Sequence, residues 1–199
     1  MQKRRRAEAR LLFFSNMNEA EIIKACIKGE RRAQNALYKL YFPLMSSICL
    51  RYTKDKDEAI QKLNTGFFKI LKNISNYNSE FAFATFVRTI MVNHLIDEFR
   101  KEKQYQSTFE FKDYNELEQE VSYNQAELDF NANDLLNLLK TLPEVSQKVF
   151  NLFAMDGYKH QEIAELLNIS AGTSKWHVSD ARKKLKDLLD KQKKRTEIA

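Results

Sequence analysis

At 199 residues and 23.5 kDa, 43% of them hydrophobic, the chain can bury one or two modest cores but not the interior of a large multi-domain enzyme. Four Gly and two Pro leave little turn material for an all-β fold, so an all-α chain is expected. The net charge of +6 is unevenly spread: residues 1–103 hold 20 basic and 11 acidic side chains, residues 104–134 hold 1 and 8, and residues 135–199 hold 12 and 8. Two basic ends flank an acidic middle, a pattern compatible with a nucleic-acid partner.

Residues 1–17 form a basic tail in which Lys3, Arg4, Arg5 and Arg6 are either a phosphate-attracting arm or a solvated end. Its apolar run, Leu11 to Phe14, is too short for a signal-peptide core or a membrane span, so a cytoplasmic protein without membrane insertion is expected. From Asn18, a cap residue, Ile22, Ile23, Cys26 and Ile27 fall at helical spacing before Gly29. A second helix starts near Glu30 with Ala33, Leu37, Leu40 and Tyr41, and continues through Pro43 to Met45, Ile48, Cys49 and Tyr52. Asp55 caps a third, whose Ala59, Ile60, Leu63, Phe67, Ile70, Leu71 and Ile74 make one apolar stripe. A polar loop over 75–80 leads to a helix from Phe83 to Phe99, which ends in the charged run Arg100 to Lys103. These helices make a domain over 18–103.

Residues 104–131 lose the period and read as a flexible acidic linker, with isolated aromatics such as Tyr105, Phe109, Phe111, Tyr114 and Tyr123. Helical spacing returns with Leu135, Leu136, Leu138, Leu139 and Leu142, stops at Pro143, and restarts with Val145, Val149, Leu152 and Phe153. A second helical domain is expected over 132–199, ending in a basic tail.

Tyr158 to Leu185 (YKHQEIAELLNISAGTSKWHVSDARKKL) has helix-turn-helix grammar. Ile163, Ala164 and Leu167 give an inner face with a small residue for close approach. Asn168 suits a left-handed stop, Ile169 plugs the turn and Ser170 caps the next helix. In that helix Val178, Ala181 and Leu185 point inward and Thr173, Lys175 and His177 outward, as a major-groove reader requires. Lys175, Arg182, Lys183 and Lys184 supply phosphate contacts. Trp176 is either a packing residue or a groove or partner contact. The cysteines Cys26 and Cys49 lie in apolar patterns and read as reduced core residues. His94, His160 and His177 have no ligand spacing around them, and no nucleophile motif or phosphate-cradling loop occurs, so neither catalysis, metal nor cofactor is expected.

The C-terminal stretch resembles the promoter-reading helix-turn-helix of bacterial sigma factors, in particular the small extracytoplasmic-function group of the sigma-70 family. Ala36 to Leu44 (ALYKLYFPL), Ile48 to Tyr52 (ICLRY) and Asp57 to Ala59 (DEA) are similar to the opening helices of the group's other domain, and Phe81 to Arg100 to its promoter-melting helix. The resemblance covers roughly residues 30–103 and 132–190, in family order. It implies a factor that binds core RNA polymerase and directs it to promoter DNA, with an anti-sigma factor as a further partner and the linker threading the polymerase. It also implies site residues. Ser170, Thr173, Lys175, His177, Arg182 and Lys183 would serve the −35 element. Asn76, Tyr77, Asn78 and Ser79, with Arg88, Asn93, Asp97 and Arg100, would serve the −10 element and melting, with Tyr77 and Phe83 read equally as core or as stacking platforms. Asp57, Glu58, Lys62, Leu63 and Phe67 would contact core polymerase. Where the family usually carries an acidic residue and a Gln-Glu pair before an aromatic, this chain reads Lys62, Leu63, Asn64, Thr65, Gly66, Phe67. Two other classes stand beside this reading: a stand-alone helix-turn-helix regulator and an anti-sigma-binding decoy.

Overall fold

The computed structural model describes residues 18–109 and 132–196; the arm at 3–6 and residues 110–131 of the expected linker lie outside them. The regular elements of the described residues are all helical: α1 (Glu19–Ile27), α2 (Arg31–Tyr52), α3 (Lys56–Asn73), a 3-10 turn (Ile74–Asn76), α4 (Phe83–Phe109), α5 (Ala132–Lys140), α6 (Glu144–Phe150), a π-helical segment (Asn151–Met155), α7 (His160–Leu167) and α8 (Ala171–Thr196). No described helix is long and apolar enough to cross a membrane.

Local chemistry sets most of these boundaries. Asn18 forms a capping box with Glu21, each side chain satisfying the other's backbone N–H at 2.9 and 3.0 Å, and α1 ends at Gly29 with φ of 77°. Asp55 Oδ1 accepts the Glu58 N–H at 2.8 Å and starts α3. Pro43 lies inside a continuous α2. α4 runs on to Phe109, past the boundary expected at 103, because residues 104–109 contain neither Gly nor Pro to stop it.

Contacts divide the chain into two compact units, Met1–Cys49 with Asp55–Leu95, and Leu50–Lys54 with Ile96–Ala199. The interior of the first is built from Ile22, Ile23 and Cys26 of α1, Leu37, Met45 and Ile48 of α2, Leu63 and Ile70 of α3, and Phe83, Val87 and Met91 of α4. Leu40 and Ile60, expected within the buried stripes of α2 and α3, are instead exposed, as is Ile27 of α1. Gly66 is buried on α3. A Cβ there would fall inside the van der Waals surface of Met91 Sδ and lie 3.2 Å from His94 Cδ2. The helix-propensity penalty of this glycine, about 1 kcal/mol, is thus offset by the close approach of α3 and α4.

In the second unit Leu138, Leu139 and Leu142 pack with Ala181 and Leu185, and Val149, Leu152, Ile163 and Val178 are also buried. The same unit holds the C-terminal end of α2 through a buried polar network. The last carbonyls of a helix have no partner within it. Here Arg51 O accepts from Asn151 Nδ2 at 2.7 Å and Gln147 Nε2 at 3.3 Å, and Tyr52 O from Lys148 Nζ at 2.8 Å; just past the helix, the exposed Lys54 O accepts from Lys140 Nζ at 3.0 Å. Two of these donors are cations, which the negative end of the α2 dipole favours. The Arg51 guanidinium makes a two-pronged pair with Asp156 at 2.9 and 3.3 Å, and Tyr52 donates to the same carboxylate at 2.7 Å. The Asp156 side chain is wholly buried.

Burial first, then the Asp156 charge and hydrogen bond, push the Tyr52 hydroxyl well above the ordinary tyrosine value near 10. Tyr41, buried and bonded to Glu19, is raised as well. A folded value above the unfolded one contributes stability that is complete below pH 10 and is lost as pH rises beyond it. Ultraviolet titration should therefore show Tyr41 and Tyr52 ionising only as the chain unfolds. Reversible ionisation of all eight tyrosines with unchanged near-ultraviolet dichroism would contradict this.

Candidate nucleic-acid interface

The helix-turn-helix is assembled as its residues dictate. Asn168 takes the left-handed conformation (φ 53°, ψ 49°) that ends α7, and the Ile169 N–H closes on Ala164 O at 3.0 Å. Ser170 Oγ accepts the Thr173 N–H at 2.9 Å and starts α8. Ser174 is fully buried with its hydroxyl 3.0 Å from His160 Nδ1. The His160 ring stacks on Phe153 at 4.5 Å, and the Arg182 guanidinium lies 5.6 Å from the same ring. The helix crossing thus carries a satisfied polar pair rather than a buried hydroxyl left unpaired.

Of the residues expected at the −35 element, Lys175, Arg182 and Lys183 are exposed on α8, together with Lys184 and Lys186. Ser170 and Thr173 are exposed but their hydroxyls are bonded to each other at 2.8 Å. His177 departs from the expectation: it is half-buried, and its Nδ1 lies 2.9 Å from the hydroxyl of buried Ser146. That nitrogen is turned to the protein, so His177 does not offer it to a base edge. Trp176, left open between packing and contact, is exposed.

The segment between α3 and α4 is a built structure rather than a loose loop. Asn76 closes the 3-10 turn and is exposed. Tyr77 is half-buried, meets Phe83 edge-on at 4.9 Å and Phe86 at 5.5 Å, and donates its hydroxyl to Phe81 O. Asn78 is occupied locally, its Oδ1 accepting the Glu80 N–H at 3.0 Å and its Nδ2 donating to the Glu80 carboxylate at 2.9 Å. Phe83, the alternative stacking platform, is core. Ser79 is exposed. So is Phe81 at 65%, an aromatic that the sequence motif contained but the pattern did not single out. Along α4, Arg88 is half-buried and Asn93, Asp97 and Arg100 are exposed, at a spacing that sets the last three on one helix face.

For the expected polymerase contact, Asp57 is exposed, and Glu58 and Lys62 are half-buried. Leu63, named for this contact, is 1% exposed and lies in the core. Phe67 is half-buried against Tyr38, rings 5.0 Å apart and nearly perpendicular. What α2 and α3 do present is apolar: Phe42, Ile60 and Phe68, beside a Tyr38 hydroxyl bonded to Asn64 at 3.0 Å. Phe68 is 69% exposed next to a stripe residue, and an apolar side chain off the stripe is the signal that points to it.

Comparison with known proteins adds the following. The model of Sigma-70 region 2 matches residues 37–105, and that of Sigma-70, region 4 matches residues 132–185. No curated protein matches the chain significantly. Similar solved structures include the sigma factor RpoE in complex with the anti-sigma factor NepR from Bartonella quintana, at 20% identity and a TM-score of 0.49, covering 78% of this chain and 96% of that one. Another is CnrH in complex with the cytosolic domain of CnrY, at 17% identity and a TM-score of 0.46, covering 85% of this chain and 95% of that one. The two region models together span more than half of the sequence, in family order, and fall on the helices from α2 to α4 and on the helix-turn-helix described above, so the chain belongs to the sigma-70 family, the factors that bind core RNA polymerase and direct it to promoter DNA.

Proposed function

We propose that the protein is a sigma factor of the extracytoplasmic-function type, in which α8 reads the −35 element and the α3–α4 segment with α4 serves the −10 element. The observation that carries this is the capped second helix of the helix-turn-helix, which exposes Lys175, Arg182, Lys183, Lys184 and Lys186 on one element. Duplex opening needs surfaces that hold unpaired bases, and Phe81 with Asn76 and Ser79 supplies an aromatic face beside polar groups. Phe42, Ile60 and Phe68 supply an apolar surface for the polymerase, with Asp57, Glu58, Lys62 and Phe67 near them in sequence. An anti-sigma factor is a further partner in this reading. The protein would work in the cytoplasm and catalyse nothing itself, the chemistry belonging to the polymerase. The decoy alternative drew its support from the altered Lys62 to Gly66 stretch; the packing of Gly66 against Met91 gives that departure a structural cause and weakens it.

Lys175→Ala and Arg182→Ala test the −35 assignment in reconstituted holoenzyme. Loss of a phosphate contact should lower the salt slope of binding by about one unit and weaken all sequences alike, as expected for Arg182. Loss of a base contact should cost about 1 to 3 kcal/mol on the matched sequence only, as expected for Lys175. Wild-type affinity for −35 DNA in both variants would refute the assignment.

A further inference from the structure

An indole left in water on a helix of lysines calls for a physical reason. Trp176 is 61% exposed on α8, in the second turn after the Ser170 cap, where side chains of a recognition helix reach base edges. The neighbouring exposed Lys175 and, two turns on along the same face, Lys183 give the surroundings positive charge, while the intervening Asp180 carboxylate is paired with Lys184 at 3.3 Å. The ring is also braced. It meets the His177 imidazole at 4.9 Å and 71°, and His177 is in turn held through Nδ1 by the hydroxyl of buried Ser146 at 2.9 Å. A large side chain on a fixed base loses little rotamer freedom on contact, which favours its use in recognition.

The indole has one donor and no acceptor, so its main capacity is apolar contact. In the major groove the apolar group that distinguishes one base edge from the others is the 5-methyl of thymine. We propose that Trp176 is a specificity-determining residue that covers a thymine methyl in the −35 duplex, with His177 as its positioning residue. This rests on the assignment of α8 to the −35 element and deepens it.

The test uses holoenzyme reconstituted from core polymerase and the full chain. Duplexes selected from a randomised −35 region are resynthesised with each thymine replaced in turn by deoxyuridine, which removes the methyl alone. Wild type should lose about fourfold in affinity at the contacted position. Trp176→Ala should bind the thymine duplex more weakly and no longer distinguish the two, whereas Trp176→Phe should keep part of the difference. His177→Ala should shrink the difference while leaving the salt slope unchanged. Lys175→Ala should weaken both duplexes and preserve their ratio. If wild type ignores the methyl at every position although a −35 sequence was selected, this proposal falls and the −35 assignment stands. If no −35 sequence emerges, both fall. A Trp176→Ala variant that keeps the thymine preference but assembles poorly with core polymerase would overturn the proposal in favour of a protein contact.

Discussion

Asp156→Ala is expected to destabilise the second unit by about 3 to 5 kcal/mol, because it removes one charge of a buried two-pronged pair with Arg51 and the acceptor of the Tyr52 hydroxyl. The cost is that of breaking one half of a buried pair rather than of the pair's net worth. Burying two charges is itself costly, so replacing both ends by apolar side chains of similar volume should recover much of the loss. The double variant Arg51→Met with Asp156→Leu should therefore be more stable than Asp156→Ala alone. Asp156→Asn keeps an acceptor for Tyr52 but not the charge and should fall between wild type and Ala. Urea unfolding followed by far-ultraviolet dichroism measures all of these. A cost below about 1 kcal/mol for Asp156→Ala would mean that water reaches Arg51 and that the network is looser than its geometry indicates.

The second large effect concerns promoter opening. Phe81→Ala should reduce open-complex formation by roughly 5- to 150-fold, the equivalent of about 1 to 3 kcal/mol for one base stacked on an aromatic ring. The backbone around Phe81 is held from two sides, its N–H by Asn78 O at 3.3 Å and its carbonyl by the Tyr77 hydroxyl, so the position from which the exposed ring projects is fixed. Stacking exists only after the strands separate, so affinity for −35 duplex should not change. A promoter with a pre-opened mismatch bubble should recover much of the defect, the cost of unpairing having been removed. Replacing Asn76, Tyr77, Asn78 and Ser79 together by Gly and Ser should produce the same phenotype with an added loss of stability, since Tyr77 packs against Phe83 and Phe86. Permanganate reactivity of promoter thymines on linear duplex reads the outcome; reactivity equal to wild type in Phe81→Ala would sink the assignment.

The features legible in the sequence were those decided within a few residues of themselves. Asn18, Gly29, Asp55, Asn168 and Ser170 each act on backbone groups three or four positions away, and each sits where its chemistry predicts. Periodicity identified the helices but not how wide their buried faces are, and so Leu40 and Ile60 were assigned to a core that does not cover them. Leu63 is the converse case, a surface contact by analogy and an interior residue by packing. The pair of Arg51 and Asp156 spans 105 positions, and Ser146 and His177 are 31 apart. Nothing local announces either, since a lone arginine in an apolar helix and a histidine on a basic one are satisfied by partners that only tertiary folding brings near. Trp176 was legible as a choice between two environments, and its exposure decides between them.

Gly66 limits what can be transplanted between relatives. The stretch from Lys62 to Phe67 invites an exchange in which the family's usual acidic and Gln-Glu residues are grafted onto this backbone to alter polymerase affinity. Asn64 and Thr65 are exposed and would accept such side chains. A side chain at position 66 would require the Met91 thioether to swing aside and His94 to give by a few tenths of an ångström. A whole-segment swap would therefore repack the α3–α4 contact as well as change the surface, and its effect on polymerase affinity is to be compared with a swap that leaves Gly66 in place.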